Sequence, residues 1–186
     1  GKEVIFDAEH FFDGYKNNPE YAVEALLAAA KGGSETLVLC DTNGGCFPEE
    51  IEKITRNVLH KVMLEYPRIK IGIHVHNDMS FAVINSIKAV EAGATHIQGT
   101  LIGFGERCGN ANLSTIIANL QLKKGIKILE EEKIEQLTQF SRAVAEIANI
   151  TIDDGMPYVG QNAFANKGGM HIAGVTKASH SFEHIS

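Results

Sequence analysis

The chain contains the stretch Ile69-Lys70-Ile71-Gly72-Ile73-His74-Val75, which predicts a buried β-strand and is followed directly by His76-Asn77-Asp78. Side chains alternate between the two faces of a strand, so the apolar residues at its odd-numbered positions share one face. That face is suited to packing against helices. His74 and His76 share the opposite face at the carboxyl end of the strand.

The same alternation of a strand with a helix occurs four times along the chain. The predicted strands cover residues 2–8, 36–40, 69–75 and 96–101, and the predicted helices cover residues 19–31, 48–66, 81–91 and 113–124. Proline stands near the start of the first two helices and glycine follows three of the four ends, as is typical of helix termini. Strands that alternate with helices predict right-handed crossovers and a parallel sheet, which is an α/β fold.

Two architectures fit this pattern, the doubly wound open sheet and the (βα)8 barrel. Four strand–helix units are half of an eight-unit barrel, which typically needs about 250 residues. The chain has 186 residues and starts directly in a predicted strand, without Met. We therefore expect it to be part of a larger molecule.

The character of the sequence changes after Gly125. One amphipathic helix is predicted over residues 130–150, and a glycine-rich, irregular segment follows it. The apolar face of this helix is expected to contain Ile134, Leu137, Val144 and Ile147. Residues 1–125 and 126–186 are therefore expected to form separate regions.

Composition narrows the class of protein. Hydrophobic residues make up 44% and charged residues 22%, which is ordinary for a globular domain. The net charge of −6 leaves no basic surplus for phosphates, so nucleic acid is not an expected partner. No apolar run approaches the roughly 20 residues of a membrane span, so no membrane association is expected. Three cysteines without a CxxC pair argue against disulfides or a thiolate zinc site and favour the cytoplasm.

The strongest chemical signal is the histidine pair at the end of the third strand. Two imidazoles from one strand end can chelate one divalent ion, and this end of a parallel sheet is where α/β proteins place their active sites. We therefore predict His74 and His76 as metal ligands, the alternative being two histidines without a ligand. Asp78 would orient a histidine ligand or cap the next helix.

Two further sets of oxygen-bearing side chains lie at or beyond the carboxyl ends of other predicted strands. Asn110, in the glycine-rich loop 103–112, offers a carbonyl oxygen to an ion, the alternative being a turn in which Asn110 or Asn112 caps the next helix. Asp7 and Glu9 are two residues apart and share a face, so they could serve as base or ligand, or be solvated acids.

Three residues complete the candidates. Thr42, in the turn after the second strand, could donate its hydroxyl to a substrate carboxylate, the alternative being a plain polar turn. His171 follows a glycine pair and is a candidate, although a lone histidine is more often structural. Cys108 has no activating base nearby in the sequence, so we expect an inert thiol.

Five strings together resemble the acyl-CoA condensing synthases related to 2-isopropylmalate synthase and homocitrate synthase, and within that family the (R)-citramalate branch. The combination of HxHND with GERxGNA is quite specific to these synthases. The strings follow the family's order over nearly the whole chain: Phe6–Tyr15, Leu39–Gly45, His74–Asp78, Gly105–Leu113 and Ala163–His171.

The resemblance implies a metal-dependent (βα)8 TIM barrel with C-terminal helical subdomains, usually as a homodimer. Residues 1–125 would then hold strands five to eight, and residues 126–186 a linker helix and the start of the first subdomain. It also implies that His74, His76 and Asn110, with an Asp from the family's first strand, hold a divalent ion (Mg, Mn or Zn).

The resemblance further implies a reaction in which acetyl-CoA condenses with a 2-oxo acid, pyruvate giving (R)-citramalate. Glu9, paired with His171 from the partner subunit, would remove a proton from the methyl group of acetyl-CoA. Thr42 would bind the carboxylate of the 2-oxo acid, and Asp7 would line its side-chain pocket.

Two departures and three alternatives accompany this interpretation. The family's first-strand His-x-Arg-Asp motif is not in the chain, and Phe182 stands where the family often has Tyr. We therefore expect the 186 residues alone to be inactive or nearly so. Three alternatives remain. The first is a 2-isopropylmalate synthase with 2-oxoisovalerate as acceptor, and the second is a non-catalytic partial-barrel module. The third is a lyase that acts on 3-hydroxy-3-methylglutaryl-CoA, which the Gly-Glu-Arg-Cys string disfavours.

Overall fold

The structure is a computed structural model that describes residues 1–165. Gly1–Ile116 form one compact unit, and the chain from Ile117 onward belongs to a second. Gly125, after which the sequence pattern changes, lies in the second unit.

The first unit is built on a four-stranded parallel sheet in the order β1-β2-β3-β4. Its strands are β1 (Ile5–Ala8), β2 (Thr36–Asp41), β3 (Lys70–Val75) and β4 (His96–Gln98). Strands that pair in the order of the chain are typical of successive units of a (βα)8 barrel, whereas a doubly wound sheet reverses its order at a switch point. The predicted α/β fold with four consecutive parallel strands is confirmed.

Seven α-helices are present in residues 1–165. The helices predicted over residues 19–31, 48–66 and 81–91 begin and end within one residue of their predicted bounds, whereas the α-helix predicted over 113–124 ends at Ala118. The helices are α1 (Phe11–Asn17), α2 (Pro19–Lys31), α3 (Pro48–Glu65), α4 (Ala82–Glu91), α5 (Leu113–Ala118), α6 (Glu131–Glu135) and α7 (Leu137–Ile147). The chain continues from α5 through a π-helical turn, residues 119–123.

Helix α1 was not predicted from the sequence. It has only seven residues and contains Gly14, so its intrinsic helix propensity is weak. Phe11 and Phe12 are buried in the first unit, at 4% and 0% exposure. Tertiary packing of these two rings therefore outweighs local propensity.

Apolar side chains of adjacent strands build the core of the first unit. Leu37 pairs in register with Ile71, and Leu39 with Ile73. All four side chains are essentially inaccessible to solvent. Helix α3 contributes its own buried stripe, formed by Ile51, Ile54, Val58 and Val62.

The uninterrupted helix predicted over residues 130–150 is wrong. Helices α6 and α7 are separated at Gln136, whose N–H bonds the carbonyl of Lys133 in a tightened turn. The expected apolar face is also wrong in part, because Ile147 is 86% exposed. The buried side of α7 is formed by Leu137, Ser141 and Ala145. Within residues 1–165, no helix combines the length and apolar character needed to cross a membrane.

Candidate functional site

The candidate site lies where the four parallel strands end. Because β1 to β4 run in the same direction, their carboxyl ends meet at one edge of the sheet. His74 pairs in register with Cys40 on one side and with Gln98 on the other. The polar residues that follow these strands are therefore brought together from distant parts of the chain.

His74 and His76 lie side by side, with ring centroids 5.3 Å apart. His76 forms an isolated antiparallel bridge with Asn110, which places the loop after β4 beside the end of β3. The Nδ1 atom of His76 and the Oδ1 atom of Asn110 are both buried and have no hydrogen-bond partner within the described residues. Buried polar atoms rarely stay unpaired, so each of the two atoms has room for a further partner, for which a bound cation is one candidate.

The donor set is incomplete for a metal within the described residues. No group of three or more His, Cys, Asp or Glu side chains in residues 1–165 is arranged to hold an ion. Two imidazoles and one amide oxygen are a mixed nitrogen and oxygen set, which suits a borderline or hard divalent ion.

Backbone geometry in the loop after β4 brings Asn110 to this position. The N–H of Asn110 bonds the carbonyl of Gly103, and the N–H of Ala111 bonds the carbonyl of Val75 at the end of β3. Gly109 has a φ of 93°, and a Cβ there would collide with the carbonyl oxygen of Gly103. A Cβ at Gly105 would collide with the side-chain nitrogen of Asn110. Glycine is therefore required at position 109, whereas a side chain at position 105 would displace the amide group of Asn110.

Arg107 connects three loops at this edge of the sheet. Its guanidinium binds Asp78 through two hydrogen bonds of 2.8 and 2.9 Å and donates to the carbonyl of Thr42 at 2.7 Å. The hydrogen bonds from Arg107 hold the pKa of Asp78 below its ordinary value. Asp78 was the candidate to cap the next helix, but the first N–H of α4, that of Ala82, is bound by the Oδ1 atom of Asn77.

Glu9 and Thr42 contact each other directly. The Thr42 hydroxyl donates to a carboxylate oxygen of Glu9 at 2.8 Å and accepts from the N–H of His10 at 2.8 Å. His10 has a left-handed backbone conformation, with φ of 54°. Donation of this hydroxyl to any other acceptor requires that its bond to Glu9 be exchanged.

Gln98 is a site residue that the sequence reasoning missed. Its amide nitrogen donates to Asp7 at 2.9 Å, and its amide oxygen lies 2.8 Å from Nδ1 of His74. The available signal was a polar residue in the fourth strand, next to the predicted ligand strand. Gln98 links a predicted substrate residue to a predicted metal ligand.

The three cysteines differ in accessibility. Burial, followed by the nearby charges of Asp7 and Glu9, raises the pKa of Cys40 to about 12. Burial, followed by the charge of Asp41, raises the pKa of Cys46 to about 12. These two thiols are therefore not nucleophiles at neutral pH, whereas Cys108 is exposed. His171 and Phe182 lie outside the described residues.

The chain is similar to known proteins along most of its length. The profile of the HMGL-like family matches residues 2–144. The chain is 54% identical to the (R)-citramalate synthase of Aquifex aeolicus, covering 99% of the chain and 34% of that protein. It is 51% identical to the (R)-citramalate synthase of Synechocystis sp., covering 100% and 35%. It is 34% identical to a probable 2-isopropylmalate synthase of Methanopyrus kandleri, covering 100% and 35%.

The chain thus spans about a third of the length of the curated relatives that it matches. Among solved structures, it is similar to the HMG-CoA lyase of Bacillus subtilis, with a TM-score of 0.57 and 24% identity over 72% of this chain and 44% of that one. At this level of identity the likeness concerns the fold alone.

Proposed function

The chain belongs to the HMGL-like family, and on that basis we propose that it is part of an enzyme that condenses acetyl-CoA with a 2-oxo acid. The proposed acceptor is pyruvate and the proposed product is (R)-citramalate. The observation that carries this proposal is the identity of 54% and 51% to two (R)-citramalate synthases over essentially the whole chain. The identity to a 2-isopropylmalate synthase is lower, at 34%.

His74, His76 and Asn110 would hold a divalent ion, which when bound would polarise the acceptor carbonyl as a Lewis acid. The unpaired Nδ1 of His76 and Oδ1 of Asn110 support this assignment. Imidazole and amide oxygen donors are compatible with Mg, Mn or Zn. By the family resemblance, the Asp of the family's first strand would complete the ligand set.

Thr42 and Glu9 would act together when the 2-oxo acid binds. The Thr42 hydroxyl would exchange its bond to Glu9 for a bond to the substrate carboxylate, and Asp7 would line the pocket of the substrate's side chain. The released Glu9 carboxylate would then pair with His171 of a second subunit. A carboxylate raises the basicity of an imidazole that it binds, and removal of a proton next to a thioester requires such a base.

The proposed reaction forms one carbon–carbon bond and breaks one thioester bond. The base takes a proton from the methyl group of acetyl-CoA, and the resulting enolate carbon forms a bond to the carbonyl carbon of the 2-oxo acid. The former carbonyl oxygen takes a proton and becomes a hydroxyl. Water then cleaves the thioester, which releases CoA and makes the overall reaction irreversible.

We also propose a homodimer as the working assembly and the cytoplasm as its location. The dimer follows from the proposed sharing of His171 between subunits. The cytoplasm is supported by three free cysteines without a CxxC pair, which suit a reducing compartment.

The proposal is tested with the complete protein, acetyl-CoA and either pyruvate or 2-oxoisovalerate, in the presence of Mg²⁺ or Mn²⁺. CoA release is followed with a thiol reagent, and the product is identified by chiral chromatography and mass spectrometry. We expect (R)-citramalate from pyruvate as the preferred product. Preferred formation of 2-isopropylmalate, or no condensation with either acceptor, would overturn the proposal.

Thr42→Val provides a residue-level test with Thr42→Ser as its matched control. Loss of the hydroxyl should raise KM for the 2-oxo acid. The rise should correspond to less than the about 1.5–3 kcal/mol that a hydrogen bond to a charged group contributes, because the wild-type hydroxyl gives up its bond to Glu9 when the substrate binds. Thr42→Ser keeps the hydroxyl and should stay near the wild-type KM. An unchanged KM in Thr42→Val would remove Thr42 from the binding site.

A further inference from the structure

Gln98 lies between two residues of the proposed site and contacts both. Its Nε2 donates to Oδ1 of Asp7 at 2.9 Å, although the two residues are 91 positions apart in the chain. Its Oε1 lies 2.8 Å from Nδ1 of His74, its register partner on the neighbouring strand. The amide is thus held at both ends, by a carboxylate and by an imidazole.

The direction of both hydrogen bonds follows from the chemistry of the groups. An ionised carboxylate can only accept hydrogen bonds, so Asp7 must face the NH₂ end of the Gln98 amide. The oxygen end of the amide is then left for His74, and an amide oxygen can only accept. The contact at His74 is therefore a hydrogen bond donated by Nδ1–H.

A neutral imidazole carries one N–H, and the other nitrogen holds a free electron pair. With the proton on Nδ1, the electron pair of His74 is on Nε2. A nitrogen must present an electron pair to bind a metal, so this tautomer leaves Nε2 as the donor atom. Hydrogen bonds from the second nitrogen of a ligating histidine commonly fix ring orientation in this way.

On the basis of the metal site proposed above, we infer that Gln98 is a positioning residue. Anchored by Asp7, Gln98 selects the Nδ1–H tautomer of His74 and holds the ring with Nε2 available to a divalent ion. Loss of such a partner typically costs about 10–100-fold in metal affinity. Gln98 itself needs no contact with the metal or the substrate.

The test uses the complete protein with ¹⁵N-labelled histidine, free of metal and at mildly alkaline pH. Long-range ¹H–¹⁵N correlation spectra distinguish the two tautomers of each imidazole, and a His74→Gln sample assigns the His74 signals. Mn²⁺ affinity is measured separately by calorimetry. Circular dichroism and the midpoint of thermal unfolding show whether each variant is folded.

Three variants test whether Gln98 acts on His74 through its hydrogen bonds or only by filling space. Gln98→Leu removes the acceptor, and Gln139→Leu, at an exposed position of α7, is the matched control for the same substitution. In the double variant Asp7→Asn with Gln98→Glu, the donor and acceptor roles are exchanged between positions 7 and 98. A carboxylate at position 98 can accept from both the new amide and His74, so the original tautomer should return.

We expect His74 to be the Nδ1–H tautomer in the wild type, to lose that preference in Gln98→Leu and to regain it in the double variant. Mn²⁺ affinity should fall about 10–100-fold in Gln98→Leu and recover in the double variant. The inference is overturned if the wild type carries the proton on Nε2, or if Gln98→Leu leaves the tautomer unchanged. If the wild-type protein binds no Mn²⁺, the proposed metal site fails, while the tautomer spectra still decide the role of Gln98 toward His74.

Discussion

At the scale of single residues, the pairing of Asp78 with Arg107 determines how the loops around the site are held. Arg107 binds both oxygens of Asp78 and also the carbonyl of Thr42. The planar guanidinium can make these bonds at once because its N–H groups form a fixed fork. One arginine therefore sets the distance between the loops that follow β2, β3 and β4.

This pair predicts a pH dependence of stability. The pKa of Asp78 is lowered in the folded protein by Arg107, so its contribution to stability is fully present above the ordinary Asp pKa of about 3.9. The contribution is lost as the pH falls through the lowered native pKa. We expect the difference in free energy of unfolding between the wild type and Asp78→Asn to be largest at neutral pH and to shrink in acid, as measured by urea titrations across pH.

Arg107→Leu is the companion variant for this measurement. It should flatten the pH dependence in the same way, and the double variant should be no flatter than either single one, because both changes remove the same interaction. Equal acid slopes in the wild type and Asp78→Asn would contradict the assignment.

At the scale of elements, the loop after β4 depends on glycine for its path. Gly109 has a φ of 93°, which L side chains rarely adopt, and it passes directly against the carbonyl of Gly103. The next residue, Asn110, is a proposed metal ligand. A change in the conformation of this loop is therefore expected to alter both the stability of the folded protein and the position of Asn110.

Gly109→Ala should destabilise the protein by about 1–3 kcal/mol, because the added Cβ meets backbone and the φ is strained. It should also weaken Mn²⁺ binding by displacing Asn110. Gly14→Ala is the control, since a Cβ at this position of α1 meets nothing within 4 Å. It should stabilise by about 0.4–1 kcal/mol. Chemical denaturation and calorimetry measure both effects, and equal stabilities of the two variants would refute the strained role of Gly109.

At the scale of the whole molecule, the parallel sheet is the structural support of the site. Ile73 is fully buried in β3, directly before His74, and its register partner Leu39 is equally inaccessible. The apolar face of β3 thus anchors the strand whose other face carries the histidines. A change in the packing of Ile73 is therefore expected to shift the backbone that positions His74.

Ile73→Ala should lower the free energy of unfolding by about 2–5 kcal/mol, the usual cost of a cavity in a packed core. Ile147→Ala makes the same change at a position that is 86% exposed, and its effect should stay within about 0.5 kcal/mol. Denaturant titrations of the complete protein compare the two. Similar losses in both variants would show that the sheet is not the core of this part of the molecule.

Much of this architecture was predictable because its signals are local. Apolar patterns, prolines at helix starts and glycines after helix ends act over a few positions, and they placed the four strands and three of their helices to within about three residues. The fourth helix begins where predicted, at Leu113, but its α-helical part ends at Ala118. Helix α1 and the break at Gln136 were not predicted. Helix α1 depends on the burial of Phe11 and Phe12, and the break is a single tightened turn, and neither leaves much local pattern in the sequence.

The sequence by itself determined the α/β fold, the order of the four strands with their connecting helices, and the histidine, carboxylate and threonine residues at one edge of the sheet. Only the tertiary structure decided which of these residues contact one another. Gln98 and Asp7 are 91 positions apart, and Arg107 and Thr42 are 65 positions apart. Such pairs form only after the strands align, because hydrogen-bond partners are set by sheet register and loop path rather than by neighbours in the chain.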